Sequence, residues 1–234
     1  MNQLKQKQLK EFYEVKFSNE NLKNLCSDFS MPLLLDVTNL NTYIVVIGQE
    51  AVKWGNIDEF KKQGVDFAMN FYLNFMDNKK GKWLRSPFWK YLKNLDENAV
   101  WNNIIKFDKG VSTNKLDEDT IKNLIQFHKG ILAKEIEILK PKVVVFFTGP
   151  NYDYLLNAVL ETTSKELQVE IPNFNQRHFC KLNLANCKGF ENFKGKAFRT
   201  YHPRFLRRML NNNYFNKQSK EISENIVNYL KNKI

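Results

Sequence analysis

The sequence predicts an α/β protein: a three-layer α/β/α sandwich around a central, mostly parallel sheet of four strands. Short apolar runs rich in β-branched and aromatic residues alternate with longer helical patterns, as in βα units. Each run closes in polar or glycine-containing sequence, which is typical of strands buried in a parallel sheet. The 234 residues, 43% of them hydrophobic, predict one domain over 1–234, with residues 1–25 as a basic helical extension on the surface.

Individual elements follow from these patterns. Three runs are predicted to be strands, at residues 43–47, 99–104 and 143–147. Asp117 begins a predicted helix whose apolar residues recur at helical spacing until Pro141 ends it, and a last helix covers 217–233. His128 lies on the apolar stripe of the first of these helices, where a single histidine is more often a core or boundary residue than a catalyst.

The charge of the chain predicts an anionic partner. Its formal net charge is +11, although dispersed lysines alone indicate only a solvated surface. Between Lys188 and Arg208, seven lysines and arginines accompany a single acidic residue and are interleaved with phenylalanine and tyrosine. This mixture is typical of a surface that faces nucleic acid, so we expect DNA as the partner.

The sequence predicts no metal site, cofactor or membrane segment. Cys26, Cys180 and Cys187 have spacings that match no zinc or iron–sulfur pattern, so we expect reduced thiols. A metal site formed by the last two with His178 is the alternative, but a fourth ligand is not evident. No apolar run approaches roughly 18 residues and the first residues lack a secretory signal, so we expect a cytoplasmic protein with no membrane partner, which we take to be a monomer.

Ligands of parallel sheets bind beyond the carboxyl ends of the strands, so the residues after each predicted strand are candidates for a site. Gly48, Gln49 and Glu50 follow the first strand and begin the segment GQEAVKW, which ends at Trp54. Glycine allows a ligand to approach the backbone, and Glu50 offers a carboxylate for acid–base chemistry. The alternative is a plain turn with an exposed acid.

Two asparagines, Asn102 and Asn103, lie within the second apolar run, where asparagine is a poor strand former. An amide donates and accepts hydrogen bonds at once, as the reading of a base edge requires. Since side chains alternate along a strand, at most one of the two faces any given site. The alternative is an asparagine at a strand edge or end that caps backbone groups.

The segment YHPRFLRR at 201–208 combines an imidazole, several guanidinium groups and two apolar side chains beside a proline turn. This combination favours a functional role for His202, and it predicts phosphate contacts for Arg204, Arg207 and Arg208. The alternative is a proline turn before a basic helix.

Five motifs occur in order between residues 30 and 210: GQE at 48–50, FWKYL at 88–92, WNN at 101–103, TGP at 148–150 and HPRFL at 202–206. In order and spacing they resemble the motifs of the uracil-DNA glycosylase superfamily, although each alone is a short pattern. The resemblance implies a DNA base glycosylase that hydrolyses the N-glycosidic bond of uracil or of another damaged or mismatched base. The alternative is a non-catalytic protein that keeps the same fold to bind nucleic acid or a nucleotide.

The resemblance also implies a role for each residue. We expect Glu50 to orient the hydrolytic water and stabilise the sugar cation, and His202 to stabilise the departing base anion. Leu206 is expected to enter the base stack as a wedge, because flipping a base out of the helix is costly. Gln49 is expected to bring a backbone N–H to a pyrimidine carbonyl. The substrate-binding residues that the resemblance implies are Gly48, Gln49, Trp54, Phe88, Asn103 and, in reserve, Asn102.

The chain departs from the family's pattern in three places. Glu50 is one methylene longer than the aspartate of the best-known branch. Ala51 and Val52 replace the usual proline and tyrosine, and Arg204 replaces a small serine. The four-cysteine cluster of the thermophilic branch is absent, so we expect no iron–sulfur cluster.

Overall fold

A computed structural model describes residues 2–23, 28–51, 54–78, 86–162, 168–169, 176–211 and 217–233. Residues 114, 209–211, 217–220, 222–223 and 227 are described by their backbone alone. Of the residues named above, Cys26, Val52 and Lys53 of the GQEAVKW segment lie outside the described part of the chain.

The helices of the described chain are α1 (Asn2–Lys16), α2 (Asn19–Leu22), α3 (Ile57–Asn78), α4 (Pro87–Leu95), α5 (Glu118–His128), α6 (Ile131–Leu139), α7 (Asp153–Val159), α8 (Pro203–Asn211) and α9 (Lys217–Lys231). The strands are β1 (Asn41–Glu50), β2 (Ala99–Ile105), β3 (Val143–Phe146), β4 (Gln168–Val169), β5 (Phe179–Leu182) and β6 (Lys196–Thr200). The three predicted strands and the last predicted helix are therefore confirmed, with small differences at their ends.

The strands form one sheet in the order β2-β1-β3-β6-β5-β4. The first four are parallel neighbours, whereas β5 pairs antiparallel with β6 and β4 pairs antiparallel with β5. The predicted fold class, α/β with a mostly parallel central sheet, is confirmed. The sheet of the described chain is wider than the four strands predicted, because the short strands β5 and β4 extend it beyond β6 and were not recognised in the sequence.

The parallel strands are buried, which explains their nearly continuous apolar sequence. All seven residues of β2 and all four of β3 are buried. β1 lies between them, in a register that pairs Gly48 with Asn103. The carboxyl ends of four parallel strands consequently meet at one edge of the sheet. No helix in the described ranges is long and apolar enough to cross a membrane.

The helix predicted to begin at Asp117 is two helices, α5 and α6. Gly130 between them has a φ of 77°, a left-handed conformation that interrupts the helix and that glycine adopts without strain. Asp117 begins α5 as predicted, and its side chain accepts a hydrogen bond from the first turn. His128 is a core residue, as predicted: its Nε2 accepts from the backbone N–H of Lys106, and burial lowers its pKa to about 3.

The N-terminal segment is helical as predicted, but α1 belongs to the core and is not a surface extension. Leu9 and Tyr13 are fully buried, and the hydroxyl of Tyr13 donates to Glu135 in α6. The two residues are four apart and lie on one face of the helix, among lysines and glutamines that dominate its composition. The buried face of α1 therefore depends on the partner helices, which a basic composition does not indicate.

A buried ion pair joins β2 to α6. Lys106 Nζ donates to Glu135 Oε1 at 2.6 Å and to Oε2 at 2.9 Å, and both side chains are almost fully buried. Asn102 Nδ2 donates to Glu135 Oε2 at 2.8 Å, and Lys106 donates to Asn102 Oδ1. Tyr13 donates to Glu135 Oε1, so the carboxylate is held by three side chains, from α1, from β2 and from the residue that follows β2. Burial lowers the pKa of Lys106, and the charge of Glu135 opposes that shift.

We expect the Lys106→Met variant to lose about 3–5 kcal/mol of unfolding free energy, because it leaves the charge of Glu135 buried without a cation. Chemical denaturation followed by circular dichroism measures the change. The matched control is Lys134→Met in α6, which removes a 2.9 Å pair with Glu137 whose side chains are about half exposed. That control is expected to cost less than about 1 kcal/mol. Equal effects of the two variants contradict the prediction.

Candidate active site

A cavity of about 270 Å³ lies at the carboxyl ends of β1 and β2, beside α4 and the start of α8. This volume is just below the range of sites for drug-sized ligands, so it suits a ligand as small as one base or nucleoside. The walls bring together most of the predicted catalytic and substrate-binding residues: Gly48, Gln49, Glu50, Trp54, Phe88, Asn103 and His202. They also include Trp89 of the FWKYL motif, which the resemblance implies to be a pocket or core residue, and Phe75, Ser86 and Trp101, which the sequence motifs did not single out.

A larger cavity, of about 700 Å³, lies at the opposite edge of the sheet, near the residues that precede β3 and β6. Its walls contain none of the predicted site residues. In open parallel sheets ligands bind at the carboxyl ends of the strands. The smaller cavity is therefore the candidate active site. Cavity volume alone would have selected the other one.

Asn103 lies at the wall of the cavity, and only the oxygen of its side-chain amide has a hydrogen-bond partner among the described residues. It is 2% exposed, and its Oδ1 accepts a hydrogen bond from Trp101 Nε1 at 3.2 Å. Its Nδ2 is buried and has no partner among the described residues. An unpartnered buried donor is costly for a folded protein, so at a cavity this N–H group is available to an acceptor from a ligand or from water.

Gly48 makes room for Asn103. The two residues are opposite each other in the pairing of β1 with β2, and a Cβ on residue 48 would collide with Asn103 Oδ1. Any larger residue at position 48 would therefore displace the side-chain amide of Asn103. Position 48 therefore requires glycine because its backbone lies in close contact with the side chain of Asn103.

Asn102, the reserve candidate for base reading, is not part of this cavity. Its amide belongs to the buried network of Lys106 and Glu135, on the opposite face of β2. Because successive side chains of a strand point to opposite faces, Asn103 faces the cavity and Asn102 cannot. The prediction of substrate contact for Asn102 is wrong for this reason.

Glu50 extends from the end of β1 into a set of hydroxyl donors. Tyr152 donates to Oε2 at 2.8 Å, Ser112 to Oε1 at 3.0 Å and Thr113 to Oε2 at 3.3 Å. Burial raises the pKa of the Glu50 carboxyl above its usual value, while these hydrogen bonds lower it and only partly compensate. Burial and the charge of Glu50 raise the pKa of Tyr152, which therefore stays protonated and remains a donor.

These three hydroxyl residues were not predicted from the sequence. Tyr152 comes shortly after the TGP motif that follows β3. Because ligands bind beyond the carboxyl ends of parallel strands, the sequence does indicate the region in which Tyr152 lies. Ser112 and Thr113 lie in the connection between β2 and α5, whose path over the sheet has no signature in the sequence. Their contact with Glu50 spans about sixty residues of chain.

Gln49 uses its side chain to link two strand ends. Its Nε2 donates to the backbone carbonyl of Thr148 at 2.7 Å, just after β3. The amide of Gln49 is therefore engaged within the protein, and what this residue offers to a ligand at the cavity wall is chiefly its backbone. That arrangement is compatible with the predicted role of its N–H.

His202 is a neutral hydrogen-bond donor at neutral pH. Burial and the charge of Arg204 lower its pKa to about 4. Its Nδ1 accepts a hydrogen bond from the backbone N–H of Arg204 at 3.2 Å, which puts the proton of the neutral ring on Nε2. The ring stacks on Phe88, with centroids 6.1 Å apart and planes at 30°. Phe88 and His202 both line the cavity, and the stacking contact orients the imidazole there.

Aromatic rings make up most of the rest of the wall. Trp54 is 3% exposed and packs edge-on against Phe75 and Trp101, with centroids 5.1 and 5.3 Å apart. Its Nε1 is a second buried donor without a partner among the described residues. Apolar rings exclude water and provide faces on which a planar ligand stacks.

Helix α8 presents arginines to solvent directly after His202. Arg204, Arg207 and Arg208 are exposed, as their predicted contact with phosphates requires. Leu206 is fully buried, so the prediction that it is a wedge is wrong. At about 100° per residue, Leu206 lies roughly 200° around the helix from Arg204 and faces the core, so the helical period decides its role.

The polar groups at the cavity include one carboxylate, one neutral imidazole, and the unpartnered donors of Asn103 and Trp54. In the described ranges, no three His, Cys, Asp or Glu side chains are grouped so that they could hold a metal ion. No family model matches the chain, and a search of curated proteins finds no match.

We expect Tyr152→Phe to raise the pKa of Glu50 further, because it removes a donor that stabilises the ionised carboxylate. Carbon-13 NMR titration of labelled glutamate carboxyl groups measures this pKa. The matched control is Tyr154→Phe, since Tyr154 is an exposed neighbour with no hydrogen bond to Glu50. A pKa that is unchanged in Tyr152→Phe, or that rises equally in the control, contradicts the prediction.

Proposed function

We propose that this protein is a DNA base glycosylase, which hydrolyses the N-glycosidic bond of uracil or of another damaged or mismatched base. The observation that carries the proposal is the convergence of Glu50, Asn103 and His202 on a single cavity of the size of one base. The three come from β1, β2 and the start of α8, and their sequence positions span about 150 residues. Their meeting at the carboxyl edge of a parallel sheet supports the resemblance noted in the sequence.

The geometry supports a division of labour in the reaction. The bond from C1′ of the sugar to the base breaks while a water oxygen bonds to C1′, through a transition state with positive charge on the sugar. The carboxylate of Glu50 stabilises that charge and takes the proton of the attacking water. The base leaves as an anion, which later takes up the proton, and the Nε2–H of His202 and the Nδ2–H of Asn103 donate to it.

A neutral His202 suits this role better than a charged one. Partial burial of the ring and the charge of Arg204 both lower the pKa of His202, which disfavours an imidazolium. A neutral donor stabilises developing charge on a carbonyl oxygen without having to be reprotonated between turnovers. The protein thus keeps the ring uncharged through burial and fixes its tautomer through a backbone hydrogen bond.

DNA binding is supported by the exposed arginines of α8, the helix that begins directly after the cavity residue His202. Because Leu206 is buried, the chain must open the base stack with another side chain or accept a base that is already unpaired. We take the active unit to be a monomer and place it in the cytoplasm.

A non-catalytic protein that binds a nucleotide or nucleic acid is the second candidate. The observation that favours it is the engagement of both carboxylate oxygens of Glu50 by protein hydroxyl groups. A carboxylate that is already satisfied is less able to orient a water. The unpartnered donors of Asn103 and Trp54 serve binding and catalysis equally well.

We expect the protein to leave alkali-sensitive abasic sites in end-labelled oligonucleotides that contain uracil, hypoxanthine or a thymine mismatch. Glu50→Gln and His202→Ala should each reduce the rate at least about tenfold, which is about 1.4 kcal/mol of transition-state stabilisation. Glu137→Gln, an exposed glutamate of α6, is the control and should keep the wild-type rate. Salt-sensitive DNA binding without cleavage of any substrate supports the second candidate instead.

The rate of this cleavage should depend on pH in a defined direction. Glu50 acts as the carboxylate, so the rate falls as the pH drops through a pKa that burial has raised above 4.5. His202 acts as the neutral ring, and with a pKa of about 4 it contributes no change near its usual value of 6.5. A pH dependence that is the same in the wild type and in Glu50→Gln assigns the titration to another group and contradicts these roles.

DNA binding should weaken in the double variant Arg207→Gln, Arg208→Gln. Each lost phosphate contact lowers the slope of log K against log salt by about 0.9, so the slope should fall by nearly two. Fluorescence anisotropy with a labelled duplex and single strand at several salt concentrations measures it. The matched control is Lys122→Gln, Lys134→Gln, two exposed lysines of α5 and α6. If both double variants lower the slope equally, α8 is not a specific DNA contact.

A further inference from the structure

The side chains of Trp101 and Asn103 form a fixed pair on one face of β2. They are two residues apart on the strand and so point to the same side. Trp101 Nε1 donates to Asn103 Oδ1 at 3.2 Å, and the contact is buried. The glycosylase chemistry proposed above uses Asn103 and makes no use of Trp101.

An indole nitrogen carries a hydrogen and has no lone pair to offer, so it can only donate. The carbonyl oxygen of the Asn103 amide must therefore face Trp101, and the amino group must face away from it. A rotated amide would bring the two donors together and leave both buried without an acceptor, which is costly. Gly48 adds a second constraint, because the oxygen fits closely against a position that tolerates no Cβ.

Trp101 is itself held firmly. Its backbone carbonyl accepts a hydrogen bond from the hydroxyl of Tyr72 at 2.7 Å. Its ring packs edge-on against Trp89 and Trp54, with centroids 5.0 and 5.3 Å apart. A ring fixed by neighbours on several sides holds the direction of its N–H, and through it the orientation of the Asn103 amide.

We propose that Trp101 is a positioning residue that determines which bases the cavity accepts, by fixing Asn103 as a donor. A base that presents a carbonyl oxygen to Asn103 Nδ2 satisfies that buried donor. A base that presents an amino group there leaves two donors facing each other, and the amide cannot rotate to relieve the conflict. His202 Nε2 is a second donor at the same cavity, so bases with two carbonyl groups are favoured over bases with one.

The inference rests on the proposed function only in taking the ligand to be a nucleobase. It makes Trp101 the source of selectivity for carbonyl groups over amino groups. The selectivity is a property of binding and needs no cleavage to be seen. Uracil and cytosine are the simplest probes, since they differ in having a carbonyl or an amino group at one ring position.

The test is an NMR titration of the whole protein with free uracil and with free cytosine. The wild type should bind uracil at least about tenfold more tightly than cytosine, as expected for a site whose buried donor is left unpaired by the wrong ligand. Trp101→Phe keeps an aromatic ring but removes the N–H, so the Asn103 amide is free to rotate and the preference should shrink to about threefold or less. Loosening of the pocket alone would weaken binding of both bases and leave their ratio unchanged.

Tyr154→Phe is the control, because it changes an exposed aromatic side chain that is not part of the cavity wall. It should keep the wild-type preference. The inference is overturned if the wild type binds cytosine as tightly as uracil, if it binds neither base up to the limit of solubility, or if Trp101→Phe keeps the full preference. The first two outcomes require no variant and so do not depend on the folding of Trp101→Phe.

Base binding and cleavage fail independently in these experiments. A protein that prefers uracil through Trp101 but cleaves no oligonucleotide retains the inference and refutes the glycosylase. A protein that cleaves uracil-containing DNA but whose Trp101→Phe variant discriminates as well as the wild type retains the glycosylase and refutes the role of Trp101.

Discussion

The buried ion pair of Lys106 and Glu135 is the constraint on which the site depends. Two charges out of water are tolerated only with close contact and further hydrogen bonds, which Tyr13 and Asn102 supply. Meeting that demand fixes β2 against α1 and α6. Asn102 Oδ1, which accepts from Lys106, also accepts a hydrogen bond from the backbone N–H of Asn103 at 2.8 Å. The buried network is therefore bonded directly to the backbone of the site residue Asn103. With one asparagine committed to the network, strand alternation turns the next one toward the cavity.

Burial shifts the pKa values of the two titratable groups at the cavity in opposite directions, and in both cases it favours the uncharged form. It raises the pKa of Glu50, where hydroxyl donors partly restore the carboxylate, and it lowers the pKa of His202, where a neighbouring arginine adds to the effect. The result is a pocket with a hydrogen-bonded acid on one wall and a neutral donor on another. Such a pair suits a reaction that develops positive charge on a sugar and negative charge on a base, and it also suits the binding of an uncharged base.

Sequence reasoning located most of the candidate site because strand ends in a parallel sheet are marked by local sequence. Gly48 and Glu50 follow one apolar run and Asn103 lies near the end of another, so their proximity could be predicted without a structure. Leu206 and Asn102 were misplaced because a motif gives neither the rotation of a helix nor the face of a strand. Trp101, Tyr152 and Ser112 were missed as partners of the site, since each acts through a contact that only the folded chain creates.

By itself, the sequence determined the α/β class, three of the strands, the N-cap of α5, the last helix and the chemical types at the carboxyl edge of the sheet. These features depend on local periodicity and on residues close together in the chain. The tertiary structure decided which of two asparagines faces the cavity, that α1 belongs to the core, and which hydroxyl groups hold Glu50. It also decided the orientation of the Asn103 amide and the lowered pKa of His202. These properties arise from burial and from contacts between distant segments, which have no local signature in the chain.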